Sequence, residues 1–414
     1  MVGAGISGLV ATQILSNRHN VALFEAGDQA GGHANTVVVN DAGIGRAIDT
    51  GFIVYNRIHY PVLTRFLNFL DISEHASDMS FSVRCDKSGL EYNGSSLNGL
   101  FVQRRNIFNP VFWRFLSDIL KFNRNAENML QSDKFLNLTV NDFIYHNPYS
   151  EALALYYLLP LGSSLWSCDA DRLGEFPLQF VLDFLKNHAM LQVRARPKWL
   201  TIAGGSRRYV DAVVSRLPTH TLRLTSSVKR VIPRQRNVEL VMSDGHREIF
   251  DEVILATHAD TSLSLVDGID DDERQALNTF PYVSNQVSLH TDESVLPKNK
   301  KAWASWNYRI RKHAGYSGRV TYNMNRLQGI ESEKTFCVSL NQSDGIDPNQ
   351  VIYKTYYRHP AFRHGRQVVQ GAHSEFIRRR GISYCGAYWG YGFHEDGARS
   401  ALTVCQAFDS EPLF

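Results

Sequence analysis

A glycine-rich loop at the start of the chain constrains its fold more than any other feature. Gly3, Gly5 and Gly8 form the pattern G-x-G-x-x-G, and an apolar run of helical length follows them. Glycine has no side chain to keep a diphosphate away from the backbone N–H groups at a helix N-terminus. The next predicted strand ends at Glu25, where a carboxylate can accept hydrogen bonds from both ribose hydroxyls of an adenosine. The pattern predicts a Rossmann-like dinucleotide site formed by Gly3, Ala4, Gly5, Ile6, Ser7, Gly8, Glu25 and Ala26.

The segment before this loop is short. Only Met1 and Val2 precede Gly3, whereas a strand of about five residues normally leads into such a loop. We expect either a very short first strand or a natural start upstream, and neither changes the identity of the site.

The composition is that of a globular protein and argues against several function classes. A chain of 414 residues is long enough for two domains, and 43% hydrophobic and 21% charged residues are ordinary values. The net charge of +3 gives no case for binding nucleic acid. The five cysteines are scattered and form no C-x-x-C pair, which favours a reducing compartment and argues against disulfides or a metal site. No apolar run reaches the length of a membrane span and no signal peptide precedes the glycine loop, so we expect a cytoplasmic protein.

A second glycine pair indicates which dinucleotide is bound. Gly31 and Gly32 follow Glu25 closely, at a point where a nicotinamide dehydrogenase would normally continue into a helix. FAD is longer and needs a second close approach of the backbone, which glycine permits. The chain has no second G-x-G-x-x-G for NAD(P)H, so we expect electrons to come from an organic substrate.

These features resemble the FAD-binding start of the flavin amine oxidase and phytoene desaturase superfamily. Three later segments extend the resemblance. Residues 251–257 resemble the strand that returns to the FAD domain, 199–209 resemble the middle loop with its G-G-S, and 386–397 resemble the flavin-facing C-terminal motif.

A narrower resemblance is to a subgroup of FAD-binding oxidoreductases that bacteria often encode beside cyclopropane-fatty-acyl-phospholipid synthases. It rests on residues 49–56, 77–83 and 388–397. The resemblance implies FAD bound non-covalently, because no clear cysteinyl attachment motif stands near the C-terminus. It also implies further cofactor contacts from Gly31, Gly32, His33, Gly51, Phe52, Val228, Ala256, Thr257, Gly386, Glu395, Asp396 and Gly397. His33 departs from the amine oxidases, many of which carry arginine at that position.

The predicted fold class is α/β: a Rossmann-like FAD-binding domain with a parallel sheet, interleaved with a substrate domain of antiparallel sheet plus a helical cap. Aromatic residues at helical spacing from Leu100 to about His188 predict the cap, broken at prolines such as Pro160. Period-two alternation between 282 and 370 predicts strands with one buried face. The FAD-binding domain is assigned to 1–57, 200–258 and 382–414, and the substrate and cap domain to 58–199 and 259–381.

The chemistry is expected near the C-terminal motif. A helix predicted over 397–408 begins just after Asp396, and its free N–H groups would stabilise negative charge on a reduced flavin by about 0.3–2 kcal/mol. Alternatively, Asp396 is only the N-cap of that helix. The candidates for a catalytic role are Tyr388, Trp389 and His394, and no general base is identified. Six aromatic side chains either line a substrate channel or pack in the core: Tyr55, Trp306, Tyr308, Tyr388, Trp389 and Tyr391.

The stretch 101–125 has two interpretations. It contains Arg104, Arg105, Arg114, Lys121 and Arg124 among many aromatic residues, with Asp118 as its one acid. Such a basic amphipathic stretch can lie on an anionic membrane surface, here the inner face of the membrane. Alternatively it is a cap helix whose apolar face packs internally, which is the more frequent arrangement.

The leading functional hypothesis is an FAD-dependent oxidoreductase. It would take hydride from a C–H bond of an apolar, lipid-like substrate onto flavin N5, and oxygen or another acceptor would reoxidise the flavin. Three alternatives stay open: a flavin amine oxidase that produces hydrogen peroxide, an FAD-dependent fatty-acid isomerase, and a non-enzymatic FAD-binding accessory to a lipid methyltransferase. The expected partner is a small molecule or lipid and not a nucleic acid.

Overall fold

The structure is a computed structural model that describes residues 1–146, 148–192, 197–311, 318–342, 344–410 and 414. The α-helices of these residues are α1 Ile6–Leu15, α2 Pro61–Phe69, α3 Leu97–Leu100, α4 Pro110–Leu130, α5 Val140–His146, α6 Glu151–Leu153, α7 Leu159–Leu165, α8 Ala170–Gly174, α9 Leu178–Asn187, α10 Arg207–Arg216, α11 Ala259–Leu265, α12 Asp271–Asn278, α13 Met324–Leu327, α14 Arg366–Gly371 and α15 His394–Gln406. The strands are β1 Leu23–Phe24, β2 Thr36–Asp41, β3 Ile44–Asp49, β4 Val54–Tyr55, β5 Glu74–Ala76, β6 Phe81–Cys85, β7 Glu91–Asn93, β8 Leu200–Ile202, β9 Leu222–Arg223, β10 Val228–Pro233, β11 Val238–Met242, β12 Arg247–Phe250, β13 Val253–Leu255, β14 Tyr282–His290, β15 Trp306–Ile310, β16 Gly318–Asn323, β17 Cys337–Leu340, β18 Val351–Pro360 and β19 Ile382–Tyr384.

A parallel sheet forms the centre of the first domain, in the order β9, β1, Val2, β13, β19. Val2 bridges in parallel to Phe24 on one side and to Leu255 on the other. The Gly3 N–H donates to the Phe24 carbonyl at 2.8 Å, and the Ala256 N–H donates to the Val2 carbonyl at 2.8 Å. The expected short first strand is therefore present, and its backbone is paired on both sides.

The glycine loop leads directly into α1, which is buried on every side. Leu9 and Val10 have no exposed surface, and α1 packs against α15 and α10. A helix enclosed in this way is apolar around its whole circumference rather than amphipathic. This explains why the sequence after Gly8 lacks charges.

The second domain is built on a seven-stranded sheet with the order β18, β14, β17, β16, β15, β6, β7. Neighbouring strands are antiparallel except for β15 and β6, which run parallel. The predicted antiparallel sheet is thus confirmed with one parallel pair. Met324, which the alternation placed on a strand, instead begins α13.

The cap is helical as predicted, but Pro160 does not break its helix. α6, a π-turn over Ala154–Leu158 and α7 follow one another without a gap. Proline has no N–H for the carbonyl four residues earlier. The Tyr92 hydroxyl donates to that carbonyl, on Tyr156, at 2.6 Å, so the helix continues through the proline.

The α/β fold with a parallel sheet, a largely antiparallel sheet and a helical cap is confirmed. Within the described ranges, no helix is long and apolar enough to cross a membrane.

Candidate functional site

A cavity of about 510 Å³ lies where the parallel sheet, the large sheet and the cap meet. Most of the predicted cofactor residues line it: Gly3, Ala4, Gly5, Ile6, Ser7, Glu25, Ala26, Gly31, Gly32, His33, Gly51, Phe52, Val228, Ala256, Thr257 and Gly386. Four others lie behind the wall: Gly8, Glu395, Asp396 and Gly397. The structure thus brings together segments that are up to about 380 residues apart in the chain.

The three glycines of the first loop have different steric roles. A Cβ on Gly8 would lie 1.9 Å from the Gly3 carbonyl oxygen, so this position keeps the helix close to the loop. A Cβ on Gly3 would lie 2.8 Å from the Ala256 carbonyl oxygen of the neighbouring strand. A Cβ on Gly5 would meet no atom within 4 Å and would project into the cavity. Gly3 and Gly8 therefore serve packing, and Gly5 keeps the space at the N-terminus of α1 open.

Glu25 is fixed by the loops on either side of it. Its Oε2 accepts from the Ala4 N–H at 2.9 Å, and its Oε1 accepts from the Gly27 N–H at 2.9 Å. Each carboxylate oxygen has a second lone pair, so acceptor capacity remains for a ligand. The position of the carboxylate is thus set before any nucleotide binds.

The second glycine pair brings two loops into contact. The Gly31 N–H donates to the Ala4 carbonyl at 2.8 Å, and a Cβ on Gly32 would lie 3.2 Å from the Cα of Gly5. Gly32 has a φ of +58°, which glycine adopts without strain. Gly51 is packed still more closely, since its Cβ would lie 2.2 Å from the His33 carbonyl oxygen.

The middle loop with Gly205 and Ser206 is attached through Asp49. This buried carboxylate accepts from the Ser206 N–H at 2.8 Å, from its hydroxyl at 2.7 Å and from the Thr36 hydroxyl at 2.6 Å. Burial raises the pKa of Asp49 to about 6, against the opposing effect of these hydrogen bonds. Asp49 therefore joins the hairpin β2–β3 to α10 behind the cavity wall.

The C-terminal helix begins at His394, three residues before the predicted start at 397. Asp396 is therefore in its first turn and is not the N-cap; its carboxylate accepts from the Phe393 N–H at 2.9 Å. Glu395 accepts from the Val62 and Leu63 N–H groups at 3.2 and 2.9 Å. Both carboxylates thus bind backbone rather than face the cavity. Gly397 permits close packing, because a Cβ there would lie 2.7 Å from Ile6 Cγ2.

The aromatic candidates divide into two sets. Tyr388, His394, Trp306 and Tyr391 line the cavity. Trp389, Tyr55 and Tyr308 do not. A short 3₁₀ turn carries Tyr388 to the wall and Trp389 away from it, and the Trp389 ring stacks on His373 with centroids 4.1 Å apart.

Family comparison decides the class of protein. The family described as flavin containing amine oxidoreductase matches residues 6–331. The chain belongs to this family. It is accordingly a flavin-dependent oxidoreductase and not a non-enzymatic accessory, and its resemblance to the narrower bacterial subgroup stays a prediction. No curated protein sequence matches this chain significantly.

Solved structures share the fold of this chain at low sequence identity. Cyclohexylamine oxidase from Brevibacterium oxydans IH-35A is 14% identical, with a TM-score of 0.70 over 99% of this chain and 98% of that one. Wild-type putrescine oxidase bound to putrescine is 13% identical, with a TM-score of 0.70 over 99% and 97%. The CLA-producing fatty acid isomerase from P. acnes is 16% identical, with a TM-score of 0.66 over 98% and 97%. At these identities the likeness shows the fold alone.

The residues on the cavity wall fit a flavin. Gly5 leaves room at a helix N-terminus for a diphosphate. Glu25, just after β1, has acceptor capacity left for the hydroxyls of a ribose. His33 Nε2 is buried and has no hydrogen-bond partner among the described residues. A buried polar atom costs free energy unless a ligand or water satisfies it, so this atom suits a polar group of the cofactor.

Four histidines on the wall form a neutral, partly buried set that the sequence indicated only in part. His33 lies with its ring centroid 5.9 Å from that of His258 and 5.2 Å from that of His359. His394 stacks on Phe52 at 3.8 Å. Burial lowers the pKa of His33 to about 4 and the pKa of each of the other three to about 3. The imidazoles are therefore uncharged at neutral pH.

The sequence patterns did not indicate His258 and His359, nor most of the residues that line the substrate end of the cavity. His258 is the third residue after β13, and His359 lies near the end of β18, where Asn285 Nδ2 donates to its Nδ1 at 2.9 Å. The one available signal was His359 before Pro360 at the end of an alternating strand. The described residues include no group of His, Cys, Asp and Glu arranged to hold a metal ion. The other missed wall residues include Trp166, Phe184, Tyr282, Tyr322 and Tyr357.

Proposed function

We propose that this protein is an FAD-dependent oxidoreductase that takes hydride from a C–H bond of an apolar, lipid-like substrate onto flavin N5. The observation that carries the substrate class is the wall of the cavity beyond the glycine loops. It consists mainly of aromatic and aliphatic side chains: Met79, Leu165, Trp166, Phe184, Met190, Val287, Trp306, Tyr322, Leu327 and Leu340. Such a wall stabilises alkyl chains by removing them from water.

The charges on the wall favour an uncharged substrate. Among the described wall residues Glu25 is the one carboxylate, and it lies at the nucleotide end. Arg358 is paired with Asp260 and lies over the Tyr282 ring. An ammonium group bound at the substrate end would lose its hydration without meeting an acidic partner there, which costs free energy.

The proposal includes FAD held without a covalent bond. Glu25 favours a cofactor with an adenosine, as FAD has and FMN lacks. None of the five cysteines lies on the cavity wall, and burial raises the pKa of the Cys385 thiol behind it. Thiolate attack on a flavin therefore has no nucleophile in place.

Bound flavin supplies a two-electron acceptor at N5. The chain excludes water and orients the substrate: Trp306 and Tyr322 lie with their ring centroids 5.1 Å apart on the wall. The N-terminus of α15 opens on the cavity at His394, where its partial positive charge stabilises an anion by about 0.3–2 kcal/mol. Neutral imidazoles such as His359 offer hydrogen bonds there without adding charge.

The test is anaerobic mixing of the purified protein with candidate substrates. Mass spectrometry of the released cofactor first identifies FAD, and release by acid precipitation shows non-covalent binding. We expect phospholipids with monounsaturated or cyclopropane chains to bleach the visible absorbance of the flavin. Bleaching by no lipid, in a protein that dithionite reduces normally, would overturn the lipid proposal.

Two other outcomes have support from named structures and define the competing functions. The cyclohexylamine and putrescine oxidases share the fold, so hydrogen peroxide release from a panel of amines would identify an amine oxidase. A fatty acid isomerase shares it too, so a rearranged lipid product without oxygen consumption would identify an isomerase.

A further inference from the structure

The surface around the start of α4 exposes apolar side chains to an unusual degree. Phe108 is 87% exposed, Leu97 76% and Val111 68%. Ile107 and Trp113 lie beside them in sequence and are also exposed. We call these five residues the apolar patch. An exposed cluster of large apolar groups in a water-soluble domain usually marks an interaction site.

The apolar patch is not the core-facing side of α4 turned toward solvent. The opposite side of α4 is buried, with Phe112, Phe115 and Phe122 packed inside. The interpretation of 101–125 as a cap helix with an internal apolar face is therefore correct for that side. The exposed patch is additional to it and lies at the N-terminal end of the helix.

Local bonds hold the patch in one arrangement. Trp113 Nε1 donates to the Ile107 carbonyl at 2.8 Å, which ties α4 to the 3₁₀ turn Arg104–Phe108. The Phe101 and Trp113 ring centroids lie 5.2 Å apart, and the Arg104 guanidinium donates to Oδ1 of Asn98 in α3. The patch is thus presented by a braced segment and not by a free loop.

Cations surround the patch, and none of them forms an ion pair with another described residue. Their side chains are exposed: Arg104, Arg105, Arg114, Lys121 and Arg124. The one acid of this stretch, Asp118, is buried, and its carboxylate accepts from the Ser150 N–H at 2.9 Å. The exposed face therefore has a single sign of charge.

We propose that residues 97–124 form a binding surface for an anionic lipid bilayer. The patch enters the interface between headgroups and acyl chains, and the cations contact lipid phosphates. A second copy of the chain is the weaker candidate, because a two-fold contact would bring these like charges together. The surface belongs to the cap that closes the cavity, since α4 packs on α9, which carries Phe184 on the wall.

Vesicle co-sedimentation of the flavin-loaded protein tests this proposal without any turnover. The probes are vesicles of equimolar phosphatidylglycerol and phosphatidylcholine, and vesicles of phosphatidylcholine alone. We expect binding to the anionic vesicles, weakening as salt increases. The double variant Phe108→Ser/Val111→Ser should bind at least tenfold more weakly, and Arg105→Gln/Arg114→Gln should lose roughly fivefold for each cation removed.

A matched control and two further measurements separate the outcomes. Val368→Ser removes an equally exposed aliphatic side chain from α14 and should bind like the unchanged protein. Flavin content and melting temperature confirm that each variant is folded. Anionic-vesicle binding that neither double variant weakens, or no binding by the unchanged protein, overturns the proposal. A concentration-dependent dimer that Phe108→Ser/Val111→Ser dissociates also overturns it, in favour of a second copy.

Discussion

The two ends of the cavity are built in different ways. At the nucleotide end the wall is backbone, and glycines allow neighbouring segments to approach one another closely. Gly8 lies against the Gly3 carbonyl, and Gly51 lies against that of His33. At the substrate end the wall is side chain, contributed by strands of the large sheet and by the cap. Trp306 and Phe184 are examples from these two elements.

The difference shows which part of such a protein can diverge. A substitution at Gly3, Gly8 or Gly51 meets main-chain atoms that have no room to move. A substitution at the substrate end meets other side chains, which can repack. We expect the nucleotide end to tolerate almost no change and the substrate end to alter specificity.

The largest effect is expected from glycine substitutions in the first loop. Gly8→Ala places a Cβ 1.9 Å from the Gly3 carbonyl oxygen, so α1 must move. We expect the variant to lose its flavin and to lose roughly 1–3 kcal/mol of unfolding free energy, as in overpacked cores. Gly5→Ala meets no protein atom, so its fold should be unchanged while flavin affinity falls at least tenfold, which is about 1.4 kcal/mol.

Denaturant unfolding and flavin titration of the apoprotein measure these two effects separately. Gly371→Ala is the matched control, because a Cβ there also meets nothing within 4 Å and Gly371 is not part of the cavity wall. Normal flavin affinity in Gly5→Ala would show that the space beside Gly5 is not used by the cofactor.

The same contrast explains what the sequence could predict. The glycine loop, Glu25 and Gly31 lie within one short stretch, so their spacing alone predicts a shared site. His258 and His359 meet His33 only through the pairing of β18 with β14 and the return of β13 to the parallel sheet. Alternating hydrophobicity predicts that strands exist, but not their neighbours or register.

Local errors had local causes. Trp389 adjoins Tyr388 in the motif, yet the 3₁₀ turn directs the two rings to different surroundings. The start of α15 was placed too late because Asp396 is a common N-cap residue. Here it acts from the first turn by accepting the Phe393 N–H. Aspartate is common both at the N-cap and in the first turn of a helix, so the sequence alone does not fix the first residue of α15.

Acid should destabilise the junction between the two ends. The folded pKa of His33 is about 4, and those of His258, His359 and His394 are about 3, against about 6.5 in the unfolded chain. The unfolded state then binds more protons between pH 6.5 and about 4, so stability falls as pH decreases through that window. We expect a loss of several kcal/mol, measured as unfolding free energy against pH.

Carboxyl groups whose pKa is raised act in the opposite sense and limit the size of this effect. The pKa values of Asp49 and Asp396 are raised to about 6, so the folded state binds more protons below that pH and gains stability. The histidines are more numerous and more strongly shifted, so the net effect should be destabilising. His359→Gln should reduce the slope of stability against pH. Stability that stays constant or rises from pH 6.5 to 5 contradicts the prediction.

At the substrate end, Trp306→Ala should alter substrate use and leave the cofactor in place. The indole is part of the cavity wall and far from the glycine loops in sequence. Its removal takes away apolar contact area. For the lipid that bleaches the flavin absorbance, we therefore expect KM to increase at least tenfold, with normal flavin content. Tyr308→Phe is the control on the same strand, since Tyr308 is buried behind the wall. If Trp306→Ala loses flavin to the same extent as it loses substrate binding, the two ends of the cavity do not act independently.

The smallest effect tests whether Glu25 selects the adenosine. Both of its oxygens accept backbone N–H groups, and the amide of Glu25→Gln would turn an NH₂ toward one of them. We expect FAD affinity to fall roughly fivefold, about 1 kcal/mol, which is typical of one hydrogen bond. Affinity for FMN, which has no adenosine, should not change. Glu248→Gln is the control, because that carboxylate pairs with Arg223 outside the cavity wall. If FAD and FMN weaken equally in titrations of the apoprotein, Glu25 acts through loop structure alone, and the nucleotide end then recognises the diphosphate rather than the ribose.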